Sequence, residues 1–437
     1  MPRSSLQGIV NAPAFVACPR ATHDAGVHTA KPSGTGGTRW VEHTRRRALH
    51  AHELVESALK RAKRRDFADR SFIHPLERLL TACNEEADLS VFGRHALRID
   101  VLRCLRNLLH FDAIEDVSPS VTARPIPTPV FITGMPRSGT TFLHRLILQD
   151  PSTVGPRLFQ LVYPYAPPGR PFETALRKRV VSVQLALFRL FAPELNALHP
   201  VAVDAPEECT DITAQVFQSS RFESMYRVPS YNTWLARSGF LHAYRFHRRF
   251  LQHLDGQLPG RRWILKSPDH VFALDDLRNV YPDARLVFVH RDPVRVLASV
   301  AKLTEVLRRP FARRIDRLEI GRQVSASWLA GAEKMCGLAA TRDSVLHLHY
   351  RQVVSSPLDA VRALYRYSDL VLSEEAEERM RRWLRSANNV SRPRRNYRLA
   401  EFGLDPRLLR ERFARYTDTF GIESEYSEGG RGRGASA

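Results

Sequence analysis

Apolar residues recur with helical spacing between residues 40 and 113, after an N-terminal stretch that has no such pattern. Side chains three or four positions apart lie on one face of a helix, so this spacing predicts amphipathic helices. The positions that carry the pattern are Leu54, Ala58, Leu59, Leu76, Leu79, Leu80, Cys83, Leu97, Val101, Leu102, Leu105 and Leu108. We therefore predict a disordered segment over 1–38 and a helical N-terminal region over 39–117.

The pattern changes after a proline-rich stretch, residues 118–129, where short apolar runs begin to alternate with amphipathic segments. Buried strands are predicted at Val130–Thr133, Trp263–Lys266, Arg285–His290 and Ser344–His349. Helices are predicted at Thr140–Gln149, 174–195, 271–280, 357–367 and 374–387. Such alternation is typical of an α/β fold, in which helices cover both faces of a mainly parallel sheet. We assign this domain to 118–425 and a flexible tail to 426–437.

The segment between the first predicted strand and its helix has the form of a phosphate-binding loop with one residue changed. Residues 129–141 read Pro-Val-Phe-Ile-Thr-Gly-Met-Pro-Arg-Ser-Gly-Thr-Thr, and Gly134 and Gly139 have the spacing of G-x-x-x-x-G-K-[ST]. Thr140 replaces the lysine that would reach the phosphates of ATP or GTP, and Arg137 lies inside the loop. Backbone N–H groups at such a corner bind phosphate-like anions. The predicted fold is thus a P-loop-like parallel sheet that binds some other nucleotide anion.

Two further polar segments follow predicted strands, at the edge where parallel sheets gather their ligands. Lys266 ends the second strand, so it should project at this edge. Taken alone, however, a lysine at a strand end is usually a solvated charge. Arg291 follows the third strand, and Ser299 lies two helical turns further on, so both could reach one phosphate. In the alternative, Arg291 and Asp292 form a structural ion pair. The coincidence with the altered loop favours a shared anion site.

The net charge indicates an acidic partner. The chain has 66 Lys and Arg against 46 Asp and Glu, a formal net charge of +20. This excess fits a nucleotide, an anionic acceptor, an anionic membrane or nucleic acid, and it fits a merely solvated basic surface equally well.

The five cysteines are scattered without a C-x-x-C pair, so neither a zinc site nor a disulfide scaffold is indicated. This cysteine usage favours a reducing cytoplasm. Neither a spanning helix nor a secretory signal is predicted.

The three segments together resemble the sulfotransferase family, in the branch whose loop reads P-R-S-G-T-T. That branch includes many bacterial members and is similar to the tyrosyl-protein sulfotransferases. The resemblance spans about residues 129–305. It implies transfer of a sulfuryl group from 3′-phosphoadenosine 5′-phosphosulfate (PAPS) to a hydroxyl or amine acceptor, with no metal ion required.

The resemblance also implies roles for particular residues. The loop residues that would hold the 5′-phosphosulfate are Arg137, Ser138, Gly139, Thr140 and Thr141. Arg291 and Ser299 would bind the 3′-phosphate, and Lys266 would lie near the transferred group. Because charge grows on the leaving oxygen, fixed cations aimed at it lower the barrier. Arg137 and Lys266 are therefore the catalytic candidates.

The general base is less well defined by the sequence. Relatives often carry a Glu in wording like L-W-E before Tyr-Pro, and the matching stretch here has Gln160, which is not a useful proton acceptor. The substitutes are Glu207 and Glu208, with His199 just upstream, and we favour either glutamate over the histidine. An exposed acidic helix start explains the two glutamates equally well. His144, in the first helix, is interpreted as structural.

Two other functions are weighed against this one. A P-loop kinase or switch is disfavoured because Thr140 replaces the lysine and no convincing Walker-B aspartate ends an apolar strand. A catalytically inactive relative that only binds an acceptor is kept open by Gln160. The expected partners are the nucleotide donor and a small-molecule, carbohydrate or lipid acceptor, without nucleic acid, and with membrane contact through the basic surface as a further option. The sequence specifies neither the acceptor nor the oligomeric state.

Overall fold

The structure, a computed structural model, describes residues 48–164, 171–255, 260–340, 345–386 and 398–425. The predictions for 1–38 and 426–437 lie outside the described residues. The helical region contains the helices Ala51–Ala62, Ile73–Glu85 and Val91–Val117. The last of these begins where Ser90 Oγ accepts a hydrogen bond from the Gly93 N–H at 2.9 Å, which satisfies one of the free donors of a helix start.

Five parallel strands form one sheet in the order β2-β3-β1-β4-β5. The strands are β1 Val130–Gly134, β2 Thr153–Val154, β3 Arg262–Lys266, β4 Arg285–His290 and β5 Leu346–His349. In this register Ile132 of β1 lies opposite Lys266 of β3, and Gly134 lies opposite Val289 of β4. The carboxyl ends of the three central strands therefore meet at one edge, as the sequence predicts.

The two faces of the sheet belong to two separate hydrophobic cores. Phe131, Leu265 and Phe288 pack into a core that also contains the buried residues of the helices before residue 118. Ile132, Ile264, Val287 and Val289 pack into the other core, with residues of later helices. Because successive side chains of a strand point to opposite faces, this division shows that helices cover both sides. The predicted α/β fold class is confirmed.

The remaining α-helices of the described residues follow the loop, and they divide evenly between the segments before and after β3. Before β3 they are Thr140–Ile147, Leu158–Val162, Pro171–Phe191, Leu195–Leu198, Thr210–Thr213, Arg221–Met225, Pro229–Ser238 and Leu241–Asp255. After β3 they are Leu274–Val280, Pro293–Arg308, Arg317–Ala340, Tyr350–Ser355, Pro357–Tyr367, Glu374–Arg385, Pro406–Arg412 and Ala414–Thr419. Short 3₁₀ helices cover Pro119–Ala123, Ala214–Val216, Pro268–Ala273 and Leu399–Phe402. Among the described residues, no helix is long and apolar enough to cross a membrane.

The first turn after β3 differs from the prediction of one continuous helix over 271–280. A 3₁₀ helix, Pro268–Ala273, precedes the α-helix Leu274–Val280. Ser267 caps this 3₁₀ helix by accepting a hydrogen bond from the Asp269 N–H at 3.2 Å. Proline suits the first position of such a turn because its missing N–H would have no partner there. The tight turn begins directly after Lys266, so it helps to position that residue.

Candidate active site

The loop after β1 depends on two glycines. Gly134 has φ +130°, and a Cβ there would lie 2.4 Å from the Val289 carbonyl oxygen, so only glycine lets β1 turn against β4. Gly139 has φ +91° and precedes the helix Thr140–Ile147. Arg137 also has a positive φ of 62°, a conformation that costs a non-glycine residue about 1 kcal/mol or more and is concentrated at functional sites.

The polar side chains of the loop hold it closed and connect it to a neighbouring segment. Ser138 is buried, and its hydroxyl donates to the Met135 carbonyl at 2.7 Å, which closes the loop on itself. Thr140, at the lysine position of the nucleoside triphosphate motif, is buried as well. The Arg137 guanidinium donates to the Leu198 carbonyl at 2.8 Å. The loop is therefore held closed from inside and tied to the segment that precedes His199.

Lys266 lies against the loop and is not a solvated charge. Its side chain is 1% exposed, and its ammonium group donates to Glu208 at 2.6 Å and to the Thr141 hydroxyl at 3.2 Å. The buried position of a cation requires such partners, because an unpaired charge away from water costs several kcal/mol. The structure thus brings Lys266, Glu208 and the start of the loop helix together.

Arg291 reaches the same loop from the end of β4. It donates to the Arg137 carbonyl at 2.6 Å and lies over the Tyr350 ring, 3.6 Å from the ring centre. Its other N–H groups donate to both carboxylate oxygens of Glu425, at 3.0 and 2.9 Å. Both side chains are largely buried, 14% and 13% exposed. A carboxylate therefore lies where the resemblance puts the 3′-phosphate.

Asp292 does not have the role that the structural alternative gave it. One of its oxygens accepts a hydrogen bond from the Val294 N–H at 2.9 Å and caps the helix Pro293–Arg308. The other accepts one from the Glu425 N–H at 2.7 Å. Ser299 is nearly buried on the same helix. Asp292 thus fixes both the helix that carries Ser299 and the segment that brings Glu425 to Arg291.

The acidic segment approaches the site in an unexpected arrangement. Glu207 is buried, and its carboxylate lies 3.4 Å from His199 Nε2. Burial alone would raise the pKa of Glu207, but the charges of His199 and Lys266 outweigh it and hold that pKa below its usual range. Burial also lowers the pKa of His199, yet the carboxylates of Glu207 and, to a smaller extent, Glu208 outweigh this effect and raise that pKa above its usual value. The ionisation of the two residues is therefore coupled, and Lys266 lies close enough to influence both.

Gln160 and His144 have structural contacts. Gln160 Oε1 accepts a hydrogen bond from the Arg157 N–H at 2.9 Å, which caps the helix Leu158–Val162. His144 Nε2 lies 2.9 Å from the Ile264 carbonyl oxygen, and burial lowers the pKa of His144 to about 3. A neutral, enclosed imidazole is suited to packing between the loop helix and β3.

The structure adds two residues that sequence reasoning did not select for the site. Tyr350 packs beside Gly139 as well as under Arg291, because a Cβ on Gly139 would lie 3.2 Å from its ring. Glu425 lies 134 residues from Arg291 in the chain. For Tyr350, the sequence offers only a weak signal, its place directly after the last predicted strand. No local pattern marks Glu425.

Comparison with known proteins agrees with this architecture. A glycine loop after the first strand of a parallel sheet, with cations gathered at its carboxyl edge, places the chain among α/β proteins of the anion-binding kind. Residues 129–374, more than half of the chain, match the sulfotransferase family. The chain belongs to the sulfotransferase family.

Several relatives resemble it in sequence or structure. It is 28% identical over 197 residues to the omega-hydroxy-beta-dihydromenaquinone-9 sulfotransferase Stf3 of Mycobacterium tuberculosis and of Mycobacterium bovis, over 44% of this chain. The match spans about half the length of these curated relatives, 48%. The crystal structure of sulfotransferase STF1 from Mycobacterium tuberculosis H37Rv is 31% identical, with a TM-score of 0.74 over 84% of this chain and 99% of that one. Sulfotransferase STF9 from Mycobacterium avium is 27% identical, with a TM-score of 0.76 over 86% and 97%.

Proposed function

We propose that this protein transfers a sulfuryl group from PAPS to a hydroxyl or amine acceptor by in-line displacement. The observation that carries the proposal is the convergence of three cations on one loop. Lys266 contacts the loop helix through Thr141, Arg291 contacts the Arg137 carbonyl, and Arg137 belongs to the loop itself. Membership of the sulfotransferase family supports the same conclusion.

The donor set fits the two anionic ends of PAPS. The N–H groups of the loop helix, with Arg137, Ser138, Gly139, Thr140 and Thr141, would hold the 5′-phosphosulfate. Arg291 and Ser299 would hold the 3′-phosphate. The contact with Glu425 supports this assignment, because Arg291 donates to both oxygens of that carboxylate in this position. Thr140 instead of lysine disfavours a nucleoside triphosphate.

The catalytic roles follow from where charge develops. As the sulfur–oxygen bond to the nucleotide breaks, negative charge grows on the leaving oxygen, and fixed cations stabilise it most in a dry site. Lys266 is suited to this role because it is 1% exposed and lies beside the loop. Its ammonium group donates a hydrogen bond to Glu208 at 2.6 Å. We infer that Arg137 contributes a second cation from the loop itself, and that the acceptor proton leaves through the segment that contains His199, Glu207 and Glu208.

We infer a lipid-like hydroxyl compound as the acceptor. The relative Stf3 is named as a sulfotransferase of a hydroxylated menaquinone, omega-hydroxy-beta-dihydromenaquinone-9. In this chain the helix Pro171–Phe191, which leads into the His199 segment, exposes several large apolar side chains, among them Phe172 at 78% and Leu190 at 75%. Exposed apolar patches mark sites for apolar ligands, membranes or proteins.

The four described cysteines are free and buried, which supports a reducing, cytoplasmic compartment.

Calorimetric titration tests the donor. The protein should bind 3′,5′-ADP without Mg²⁺ and bind ATP poorly, with or without Mg²⁺. Arg291→Ala should weaken 3′,5′-ADP binding by roughly 10- to 100-fold, the loss of a charge-assisted contact of about 1.5–3 kcal/mol. Arg285→Ala is the matched control, because Arg285 begins β4, pairs with Asp369 and lies at the opposite end of the strand. Tight ATP binding without 3′,5′-ADP binding would instead identify a kinase or switch.

Transfer of labelled sulfuryl from PAPS tests the reaction. The acceptor panel comprises dodecanol in detergent micelles, a cell lipid extract, a monosaccharide and an alkyl amine, followed by mass analysis of the product. We expect label in the hydroxyl lipids. Label only in the sugar or the amine would overturn the acceptor class, and nucleotide binding without transfer to any of them would identify an inactive relative.

A further inference from the structure

The geometry separates the three candidates for the general base. Glu208 is engaged by Lys266 at 2.6 Å, so taking up a proton there would cost the cation its partner. Glu207 is buried, and its carboxylate faces the ring of His199. The side chains of His199 and Glu208 are 25% and 26% exposed, so a substrate can reach either of them. Of these two, only His199 is not engaged by Lys266.

We propose that His199 is the general base of the reaction and that Glu207 is the positioning residue that orients its ring. This proposal rests on the proposed sulfuryl transfer and adds a proton acceptor to it. It replaces the glutamates favoured by sequence with a histidine–carboxylate pair, the arrangement that activates the serine hydroxyl in Ser-His-Asp enzymes.

The backbone around His199 is fixed beside the donor loop on both sides. Arg137 of the loop donates to the carbonyl of Leu198 at 2.8 Å. Arg145, on the helix that follows the loop, donates to the carbonyl of Pro200 at 3.1 Å. The residue between them is therefore held by two arginines of the nucleotide-binding element. A general base must first lie within hydrogen-bond reach of the proton that it removes, and its pKa matters only after that.

The partner of one ring nitrogen determines what the other can do. The Glu207 carboxylate accepts the Nε2–H of His199, so the neutral ring keeps a lone pair on Nδ1. Within the described part of the chain, no group forms a hydrogen bond with Nδ1. The separation of 3.4 Å between Nε2 and the carboxylate is typical of a catalytic hydrogen bond before substrate binds. Nδ1 is thus the atom available to an acceptor hydroxyl.

The proposed step balances without a further reactant. The acceptor oxygen forms a bond to sulfur while the bond between sulfur and the 5′-phosphate oxygen breaks, and its electron pair stays on 3′,5′-ADP. The proton of the acceptor hydroxyl moves to Nδ1 of His199 and is later released to water, which reaches the partly exposed ring. Glu207 stabilises the imidazolium that forms in between, as a carboxylate does in other histidine bases.

The sign of the pH dependence follows from the groups around the ring. Burial lowers the pKa of His199, but Glu207, with a smaller contribution from Glu208, outweighs this effect and raises that pKa above its usual value of 6.5. The other charged groups near the pair are Glu208, Lys266, Arg145 and Arg137. Only the neutral ring accepts a proton, so kcat/KM should rise with pH as His199 deprotonates. Removing the Glu207 charge should move this rise to lower pH.

The test compares His199→Gln and Glu207→Gln with the control His242→Gln. His242 faces a carboxylate, Asp69, and is 23% exposed, so it matches His199 outside the site. Release of 3′,5′-ADP from PAPS is measured against pH with dodecanol as acceptor. His199→Gln should lower kcat/KM by about 100- to 10,000-fold and abolish the rise with pH. Glu207→Gln should shift the rise to lower pH, and His242→Gln should change neither.

A second measurement does not depend on turnover. Histidine ring resonances are followed by NMR against pH, and His199 is assigned from the signal missing in His199→Gln. We expect its titration above pH 6.5 in the native chain and at lower pH in Glu207→Gln. A titration that Glu207→Gln leaves unmoved, or turnover retained by His199→Gln, overturns the proposal. Failure of the native chain to bind 3′,5′-ADP would instead refute the proposed function.

Discussion

Replacing Glu425 should strengthen nucleotide binding, although the residue belongs to the segment after the last helix. Its carboxylate holds two N–H groups of Arg291, at 3.0 and 2.9 Å, in the position proposed for the 3′-phosphate. The two anions cannot share those donors, so binding of the nucleotide must first displace the carboxylate. Glu425→Gln keeps the size and one oxygen of the side chain but removes its charge, and therefore lowers the cost of displacement.

The magnitude follows from the burial of the pair. Arg291 and Glu425 are 14% and 13% exposed, so solvent screens their attraction little. A hydrogen bond to a charged group contributes about 1.5–3 kcal/mol. Apparent affinity falls in proportion to the fraction of protein that is competent to bind, and about 1.4 kcal/mol corresponds to a factor of ten. The Kd for 3′,5′-ADP should therefore fall by roughly 10- to 100-fold in Glu425→Gln.

Calorimetric titration with 3′,5′-ADP at fixed ionic strength measures this change. Glu423→Gln is the control, because Glu423 lies two residues earlier and pairs with Arg351 at an exposed position, 72% exposed. Such a surface pair contributes about 0–1 kcal/mol, and its loss should leave the Kd unchanged. An unchanged or weaker affinity in Glu425→Gln would show that Glu425 orients Arg291 for the nucleotide, and the competition argued above would be refuted.

Three other substitutions test the site and its framework. Lys266→Ala should lower kcat by roughly 100- to 1000-fold with a native circular dichroism spectrum, because it removes the cation proposed to stabilise the leaving oxygen; a near-native rate would exclude Lys266 from the mechanism. Gly134→Ala should lower the free energy of unfolding in urea by about 2–6 kcal/mol, since a Cβ would lie 2.4 Å from the Val289 oxygen at a positive φ. Gln160→Leu should cost about 1 kcal/mol of unfolding free energy through the lost cap while kcat is retained; a large loss of turnover would reveal a catalytic role for Gln160.

The elements that a local pattern specifies were predicted closely. The strand Arg285–His290 and the helix 357–367 have the predicted bounds, because a continuous apolar run and a regular amphipathic repeat are properties of neighbouring residues. The helix predicted over 271–280 is preceded by a 3₁₀ turn from Pro268. Periodicity did not reveal this turn, since it depends on a serine cap and a proline.

Local sequence patterns were enough to predict the α/β fold, the glycine loop, and the edge of the sheet at which Lys266 and Arg291 emerge. These features depend on alternation along the chain and on two conformations that glycine favours, so they can be inferred from adjacent residues. The resemblance to sulfotransferases depends on the same local segments, and the family match confirms it.

The pairing of charges, in contrast, could be read only from the folded chain. Lys266 pairs with Glu208 across 58 residues, and Arg291 with Glu425 across 134. His199 and Glu207 are near neighbours in sequence, yet their relation depends on burial of the carboxylate and on the two arginines that hold the chain beside the loop. Ionisation and orientation are set by desolvation and by partners in space, and the order of residues along a chain contains neither.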